Sequence, residues 1–201
     1  MAPRQYNSEV RRLAEAQTLR RIVAATVELH KEKGVMASTH AEIAERAGVS
    51  VPTVYKHFPT RHDLLPACMG CVEKDAPAVD PATICAAPDL DGRLTRMVDA
   101  IHARYRYFHP WYRWAPVDAP YLPEVAAAVE AANEELERLV RGVLTKGSGI
   151  SLSRDKMALV LVLLDYATWL RMSELLVRPK AVSKAVVQAL RLVISTREES
   201  E

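Results

Sequence analysis

Apolar residues recur along most of the chain at the three- and four-residue spacing of amphipathic helices. The first such stripe predicts a helix that ends at Lys33, just before Gly34. Its members are Leu19, Ile22, Val23, Thr26 and Leu29. No run of residues alternates between apolar and polar side chains as a half-buried strand would. The pattern therefore predicts an all-α fold with about nine helices.

Three short helices are predicted next, because a residue that can cap a helix N-terminus precedes each of them. Thr39 and Glu42 have the spacing of a capping box. Ser50 can cap the second helix, which carries Pro52 in its first turn, and Thr60 precedes the third. Longer helices are predicted at residues 89–108, 122–144, 154–176 and 179–196, with residues 75–88 as a linker. We expect an N-terminal helix-turn-helix domain over residues 1–65 and a larger helical domain over residues 66–201.

The composition is that of a soluble globular protein, with 201 residues, 49% hydrophobic and 26% charged. Three cysteines without a secretory signal predict a reducing, cytoplasmic location. The longest apolar run, from Met157 to Leu164, is too short to span a membrane, so no membrane contact is expected. The net charge of +2 divides unevenly: residues 1–66 carry ten basic and seven acidic side chains, and the remainder is slightly acidic.

The turn Ala47-Gly48-Val49 joins two of the short helices as in a helix-turn-helix. On the second of them, Val54 is placed to pack inward while Pro52, Thr53 and Lys56 face outward. A short helix with such a polar face, presented by a packed pair, can enter the major groove of DNA. Any helical hairpin with a glycine turn shares this short pattern, so a hairpin without DNA contacts stays open at this point.

The longer string from Thr39 to Leu65 closely resembles the DNA-binding signature of the tetracycline-repressor (TetR) family of bacterial regulators. The positions in register are Ile43-Ala44, Ala47-Gly48-Val49-Ser50, Thr53-Val-Tyr55, His57-Phe58 and Leu64-Leu65. The resemblance covers about residues 15–65, and the rest of the chain matches that family only in length and helix count. It implies a sequence-specific transcriptional regulator that binds double-stranded DNA.

The resemblance also implies which residues contact DNA. Thr39, Tyr55 and His57 would hold the phosphate backbone. Bases would be faced by the exposed side of the reading helix, where Lys56 can reach guanine acceptors. Arg61 stands where the family usually has Lys, which keeps a phosphate-binding cation with altered geometry. The complete candidate set is Thr39, Ser50, Val51, Pro52, Thr53, Tyr55, Lys56, His57 and Arg61.

A homodimer that reads a palindromic operator is a further implication, because one such unit makes few contacts. The last two helices are the expected interface, through a stripe of Val182, Val186, Ala189, Leu190 and Val193. Our interpretation is a repressor released by a small, largely apolar or aromatic ligand, although the sequence does not distinguish repressors from activators.

Eight residues of the larger domain are candidates for a ligand pocket: His102, Tyr105, Phe108, Trp111, Tyr112, Trp114, Asp165 and Trp169. Aromatic stripes are more often core than pocket, so both interpretations remain open. Asp165 would either hold a polar group of the ligand or pair with an arginine at the dimer interface.

Cys68 and Cys71 form a CxxC pattern outside the strand-helix context of a redox enzyme. Zinc would need two more ligands, and His62 and Cys85 lie at undistinguished spacings. We expect two thiols on one helical face; the alternatives are a redox- or metal-responsive regulator and a thiol enzyme. The chain has no HExxH, GxSxG, phosphate-loop or dinucleotide motif, so no enzyme activity, metal or cofactor is expected.

Overall fold

The computed structural model describes residues 3–146, 148–176 and 178–195. These residues form eleven α-helices and no strand, which confirms the all-α prediction. The helices are α1 (Pro3–Lys33), α2 (His40–Ala47), α3 (Val51–His57), α4 (Arg61–Lys74), α5 (Pro81–Cys85), α6 (Leu90–Tyr112), α7 (Ala115–Asp118), α8 (Pro123–Arg141), α9 (Arg154–Leu164), α10 (Tyr166–Leu176) and α11 (Pro179–Ser195). Within the described ranges, none of these helices is both long and apolar enough to cross a membrane.

Element boundaries differ from the predictions at several places. The expected linker contains α5, because the Asp80 carboxylate caps a short helix that begins with a proline. Helix α6 continues through Pro110, which lies in its last turn and removes only one donor there. The helix expected over residues 154–176 is interrupted at Asp165, which adopts an extended conformation and accepts a hydrogen bond from the Thr168 amide at 2.6 Å. That carboxylate therefore has a capping role that the sequence interpretation did not include.

The chain divides into two compact units: unit 1 comprises Met1–Ala76 and His109–Val129, and unit 2 comprises Pro77–Phe108 and Glu130–Glu201. This division differs from the boundary expected after residue 65, because a segment distant in sequence packs with the N-terminal helices. A division of roles between DNA binding and ligand binding at residue 65 stays a prediction.

Unit 1 is organised around the packing of α1, α2, α3 and α4. The predicted α1 stripe is buried at Ile22, Thr26 and Leu29. The core cluster consists of Ile22, Ala25, Leu29, Ile43, Ala44, Ala47, Val54, Phe58, Leu64 and Cys68. The small Ala44, 1% exposed, lies where the two short helices approach each other and α1. This packing fixes α3 by its Val54 face and leaves the opposite face in solvent.

Unit 2 buries its own core of aliphatic side chains from α6, α9 and α11. Val182, Val186 and Leu190 belong to the buried residues of this unit and are at most 1% exposed. The prediction that this stripe forms a dimer interface is therefore wrong for these three residues, because their side chains are consumed within one chain. Only Ala189 and Val193 of the predicted stripe are partly exposed.

Candidate nucleic-acid interface

Helix α2 begins with the predicted capping box. The Thr39 hydroxyl accepts a hydrogen bond from the Glu42 amide, and the Glu42 carboxylate accepts one from the Thr39 amide at 3.0 Å. Lys33 of α1 also pairs with Glu42. Hydrogen bonds from Lys33 and Thr39 lower the pKa of Glu42 to about 2. The Thr39 hydroxyl also donates to Glu42 at 2.8 Å, so a phosphate that used this hydroxyl would compete with the carboxylate.

The turn between α2 and α3 is closed by Gly48, at φ 62° and ψ 41°. This left-handed conformation favours glycine because a side chain there meets the backbone. Arg21 of α1 donates from Nε to the Ala47 carbonyl at 2.8 Å and from Nη2 to the Gly48 carbonyl. Sequence reasoning missed Arg21, since nothing in the helical pattern distinguishes it except its position beside the buried Ile22.

Helix α3 presents the side predicted to face bases. Ser50 caps it, accepting from the Thr53 amide at 3.3 Å, and the two hydroxyl groups are 2.7 Å apart. Val51, Pro52 and Lys56 are exposed, whereas Val54 is completely buried. Thr53 is half-buried. This short helix therefore offers two apolar side chains and one cation to solvent.

The predicted phosphate contacts at the ends of α3 differ in accessibility. The Tyr55 side chain is 51% exposed. The His57 side chain is only 12% exposed, and its Nδ1 lies 3.9 Å from the Glu15 carboxylate of α1. Arg61 is partly buried and donates to the Met36 sulfur at 3.4 Å. Tyr55 is thus the most accessible of the three, while His57 and Arg61 are also engaged within the domain.

The loop between α1 and α2 is held by a buried carboxylate. Asp118 of α7 is 4% exposed and accepts hydrogen bonds from the amides of Val35 at 2.8 Å and Met36 at 3.0 Å. Gly34 has φ 82°, and a Cβ there would lie 2.9 Å from the Asp118 carboxylate. Burial lowers the pKa of the neighbouring His30 to about 4, although the negative charge of Asp118 acts to raise it. No sequence pattern indicated this arrangement, because the partners are more than eighty residues apart.

The eight predicted ligand residues are divided between the two units. Trp111, Tyr112 and Trp114 lie in unit 1. The indole of Trp111 donates to the Val27 carbonyl at 3.1 Å, and that of Trp114 donates to the Lys31 carbonyl at 3.2 Å. These two tryptophans therefore hold the C-terminal half of α1. The remaining candidates lie in unit 2 and are His102, Tyr105, Phe108, Asp165 and Trp169.

Within unit 2, His102 is a buried polar group beside aromatic side chains. Its Nδ1 is 3.1 Å from the Ser183 hydroxyl, and its Nε2 has no hydrogen-bond partner among the described residues. Burial lowers the pKa of His102 to about 4, so the ring is neutral at pH 7. The ring centroids of His102 and Trp169 are 6.5 Å apart, and those of Trp169 and Tyr105 are 5.8 Å apart. The hydroxyl of Tyr105 donates to the Leu164 carbonyl at 2.8 Å.

The cysteines of the CxxC pattern differ in environment. Cys68 is 3% exposed and belongs to the core of unit 1, whereas Cys71 is exposed. Burial raises the pKa of Cys68 to about 12, which suppresses the reactive thiolate. No cluster of three metal-ligating side chains occurs in the part of the chain that the structure describes. The burial of Cys68 therefore favours a structural role for that thiol.

A glycine turn between two short helices, packed on a third helix with the second short helix exposed, defines a helix-turn-helix DNA-binding domain. Residues 22–68 match the model of the tetR family of bacterial regulatory proteins. This match identifies the helix-turn-helix segment as similar to the DNA-binding domain of that family. Regulators of the family bind DNA and small ligands and act as dimers.

Individual proteins are similar over most of the chain. The HTH-type transcriptional activator FasR of Mycolicibacterium smegmatis is 27% identical over 186 residues, which cover 90% of this chain and 84% of that protein. A transcriptional regulator from Rhodococcus sp. Rha1 has a TM-score of 0.61 at 22% identity, covering 87% of this chain and 95% of that one. The TetR-family regulator PfmR of Thermus thermophilus has a TM-score of 0.56 at 21% identity, covering 90% and 97%. The two structures support the fold.

Proposed function

We propose that this DNA-binding regulator is a homodimer that reads a palindromic operator through α3, and that a small, largely apolar ligand bound by unit 2 releases it. The observation that carries the DNA part is the orientation of α3. Val54 fixes one face in the core, so that Val51, Pro52 and Lys56 stand together in solvent. Apolar groups suit thymine methyls and Lys56 suits guanine acceptors.

Phosphate contacts would flank this base-reading surface. The first amides of α2, beside Thr39, form one candidate contact, because the helix N-terminus presents unpaired N–H groups and a partial positive charge. The exposed Tyr55 hydroxyl is a second. We propose weaker roles for His57 and Arg61, whose side chains also contact Glu15 and Met36.

The DNA proposal is tested by selecting duplexes from a random pool with the purified full chain and sequencing them. A palindrome whose half-sites are about one helical turn apart, or a multiple of it, is expected. Lys56→Ala should relax the preference at one base position, and Tyr55→Phe should weaken binding to all duplexes by about fivefold. Lys74→Ala, an exposed cation at the end of α4, is the matched control. The proposal fails if no sequence is enriched, or if Lys56→Ala and Lys74→Ala behave alike.

The proposed dimer uses exposed parts of the C-terminal helices instead of the buried stripe. Leu159 and Val162 of α9 are 54% and 58% exposed, and Leu192 of α11 is 72% exposed. Solvated side chains of this size favour burial against a second copy. Sedimentation velocity should give a dimer for the natural chain and a monomer for Val162→Glu combined with Leu192→Glu. If the natural chain is a monomer at micromolar concentration, the proposed dimer is wrong.

The proposed ligand site centres on His102, Tyr105 and Trp169. The imidazole of His102 is neutral and lies beside aromatic rings, and its Nε2 has no hydrogen-bond partner among the described residues. Such a site suits an uncharged molecule that carries one hydrogen-bonding group. FasR is named an activator, whereas we propose that this protein acts as a repressor. Straight-chain alcohols from 1-hexanol to 1-decanol are the probes: binding should raise the melting temperature and change affinity for the selected duplex. A His102→Phe variant should lose both responses. Equal responses in the two proteins would exclude this site.

A further inference from the structure

We infer that His40 is a positioning residue for DNA binding, which holds the Tyr55 ring in the orientation needed for its backbone contact. The inference deepens the proposed function, since it rests on the phosphate contact that we assign to Tyr55. His40 is the first residue of α2, and Tyr55 lies in the second turn of α3. The two residues therefore join the start of one helix to the other helix of the motif.

The two rings are stacked. Their centroids are 4.4 Å apart and their planes differ by 8°. Tyr55 is half exposed, and an exposed tyrosine exchanges among rotamers in the free protein. Binding that selects one rotamer therefore costs conformational entropy. Contact with the imidazole on one face restricts that exchange. The hydroxyl at the end of the ring is then directed before DNA arrives, which reduces the entropic cost of the contact.

The imidazole of His40 is itself fixed by a hydrogen bond. Its Nε2 lies 3.0 Å from the carbonyl oxygen of Phe58, and because a carbonyl only accepts, Nε2 carries the proton. Phe58 is the C-cap of α3, at φ −136° and ψ 83°. Its carbonyl lies beyond the last turn and has no partner within the helix. The bond therefore fixes the plane of the imidazole and closes the end of α3 at the same time.

The backbone that carries His40 is fixed as well. Thr39 and Glu42 form a reciprocal capping box around it, and Lys33 holds the Glu42 carboxylate. The stack is thus built on a rigid helix start, a hydrogen-bonded imidazole and an exposed phenol. A histidine that served only the stability of the domain would need the hydrogen bond to Phe58 but no parallel contact with an exposed tyrosine.

The test is a double-mutant cycle between His40 and Tyr55, read by binding to a fluorescein-labelled random-sequence duplex of about 30 base pairs at low salt. Such a duplex reports phosphate contacts and does not require the operator. Tyr55→Phe should weaken binding by about fivefold, as expected for one lost hydrogen bond. His40→Ala should weaken binding about threefold to fivefold with Tyr55 present, but less than about 1.5-fold in the Tyr55→Phe background. Equal losses in both backgrounds would overturn the inference.

A measurement without DNA separates the two proposals. In the natural chain, the ring protons of Tyr55 should be shifted upfield by the imidazole, and the shift should disappear in His40→Ala. His40→Gln, which keeps a donor for Phe58, should retain the melting temperature and lose the shift. An absent shift in the natural chain would overturn the positioning role. If the upfield shift is present but Tyr55→Phe binds DNA as tightly as the natural chain, the phosphate contact assigned to Tyr55 is wrong. The reason for positioning Tyr55 would then be lost as well.

Discussion

Replacing Asp118 by alanine tests a contact between distant segments of the DNA-binding unit. The carboxylate accepts two backbone hydrogen bonds, from Val35 at 2.8 Å and from Met36 at 3.0 Å. The truncation leaves both donors without their acceptor in a site where Val35 is 8% exposed and Asp118 is 4% exposed. An unsatisfied buried N–H costs about 1–3 kcal/mol. Because removal of a buried charge recovers some desolvation free energy, we expect a total loss of about 2–4 kcal/mol in the free energy of unfolding.

Asp118→Asn refines the same prediction. An asparagine retains one carbonyl acceptor, so about half of the loss, roughly 1–2 kcal/mol, is expected. Equilibrium unfolding in urea, followed by circular dichroism, gives the free energies, and amide exchange at Val35 and Met36 locates the effect. Asp99→Ala, at an exposed aspartate of α6, is the control and should change stability by no more than about 0.5 kcal/mol. If Asp118→Ala matches this control, or protection at the two amides is unchanged, the assigned role of the carboxylate is wrong.

Three further predictions concern burial, backbone conformation and protonation. At pH 7.5, Cys71 should react with a maleimide at least about tenfold faster than Cys68, whose pKa is raised to about 12 by burial, and mass spectrometry of labelled peptides measures both. Gly48→Ala should lower the free energy of unfolding, measured in urea, by about 1–2 kcal/mol, because φ is 62° and a Cβ there would lie 3.1 Å from the Arg21 guanidinium. Gly70→Ala is the control and should not lower it, because the space around Gly70 is open. The pKa of His30 is lowered to about 4 by burial, so between pH 6.5 and 4 the unfolded chain binds a proton that the folded chain does not. The free energy of unfolding should therefore decrease as the pH falls from 6.5 to 4. His30→Gln should remove up to about 1.4 kcal/mol per pH unit of this slope. An unchanged slope would contradict the burial of the imidazole.

The local structure of the DNA-binding motif follows from short-range features of the amino-acid sequence. Capping at Thr39 and Ser50, the turn at Gly48 and the burial of Val54 depend on neighbours a few residues away, and the structure confirms each of them. The same local signals predicted which side of α3 is exposed. The break at Asp165 was missed, although that residue is a good helix cap, because the apolar pattern continues on both sides of it.

Which distant segments share a core depends on the packing of whole helices, and this is visible only in the three-dimensional structure. Apolar periodicity shows that a helix face is buried but does not identify its partner. The stripe around Val186 has the pattern of an interface between two copies, yet it packs within its own chain. For the same reason the aromatic pattern around Trp111 and Trp114 suggests a ligand pocket, whereas their indoles donate to α1. The Asp118 contact with the loop before α2 spans more than eighty residues. Contacts of this kind depend on the packing of whole helices, and no local pattern of residues encodes them.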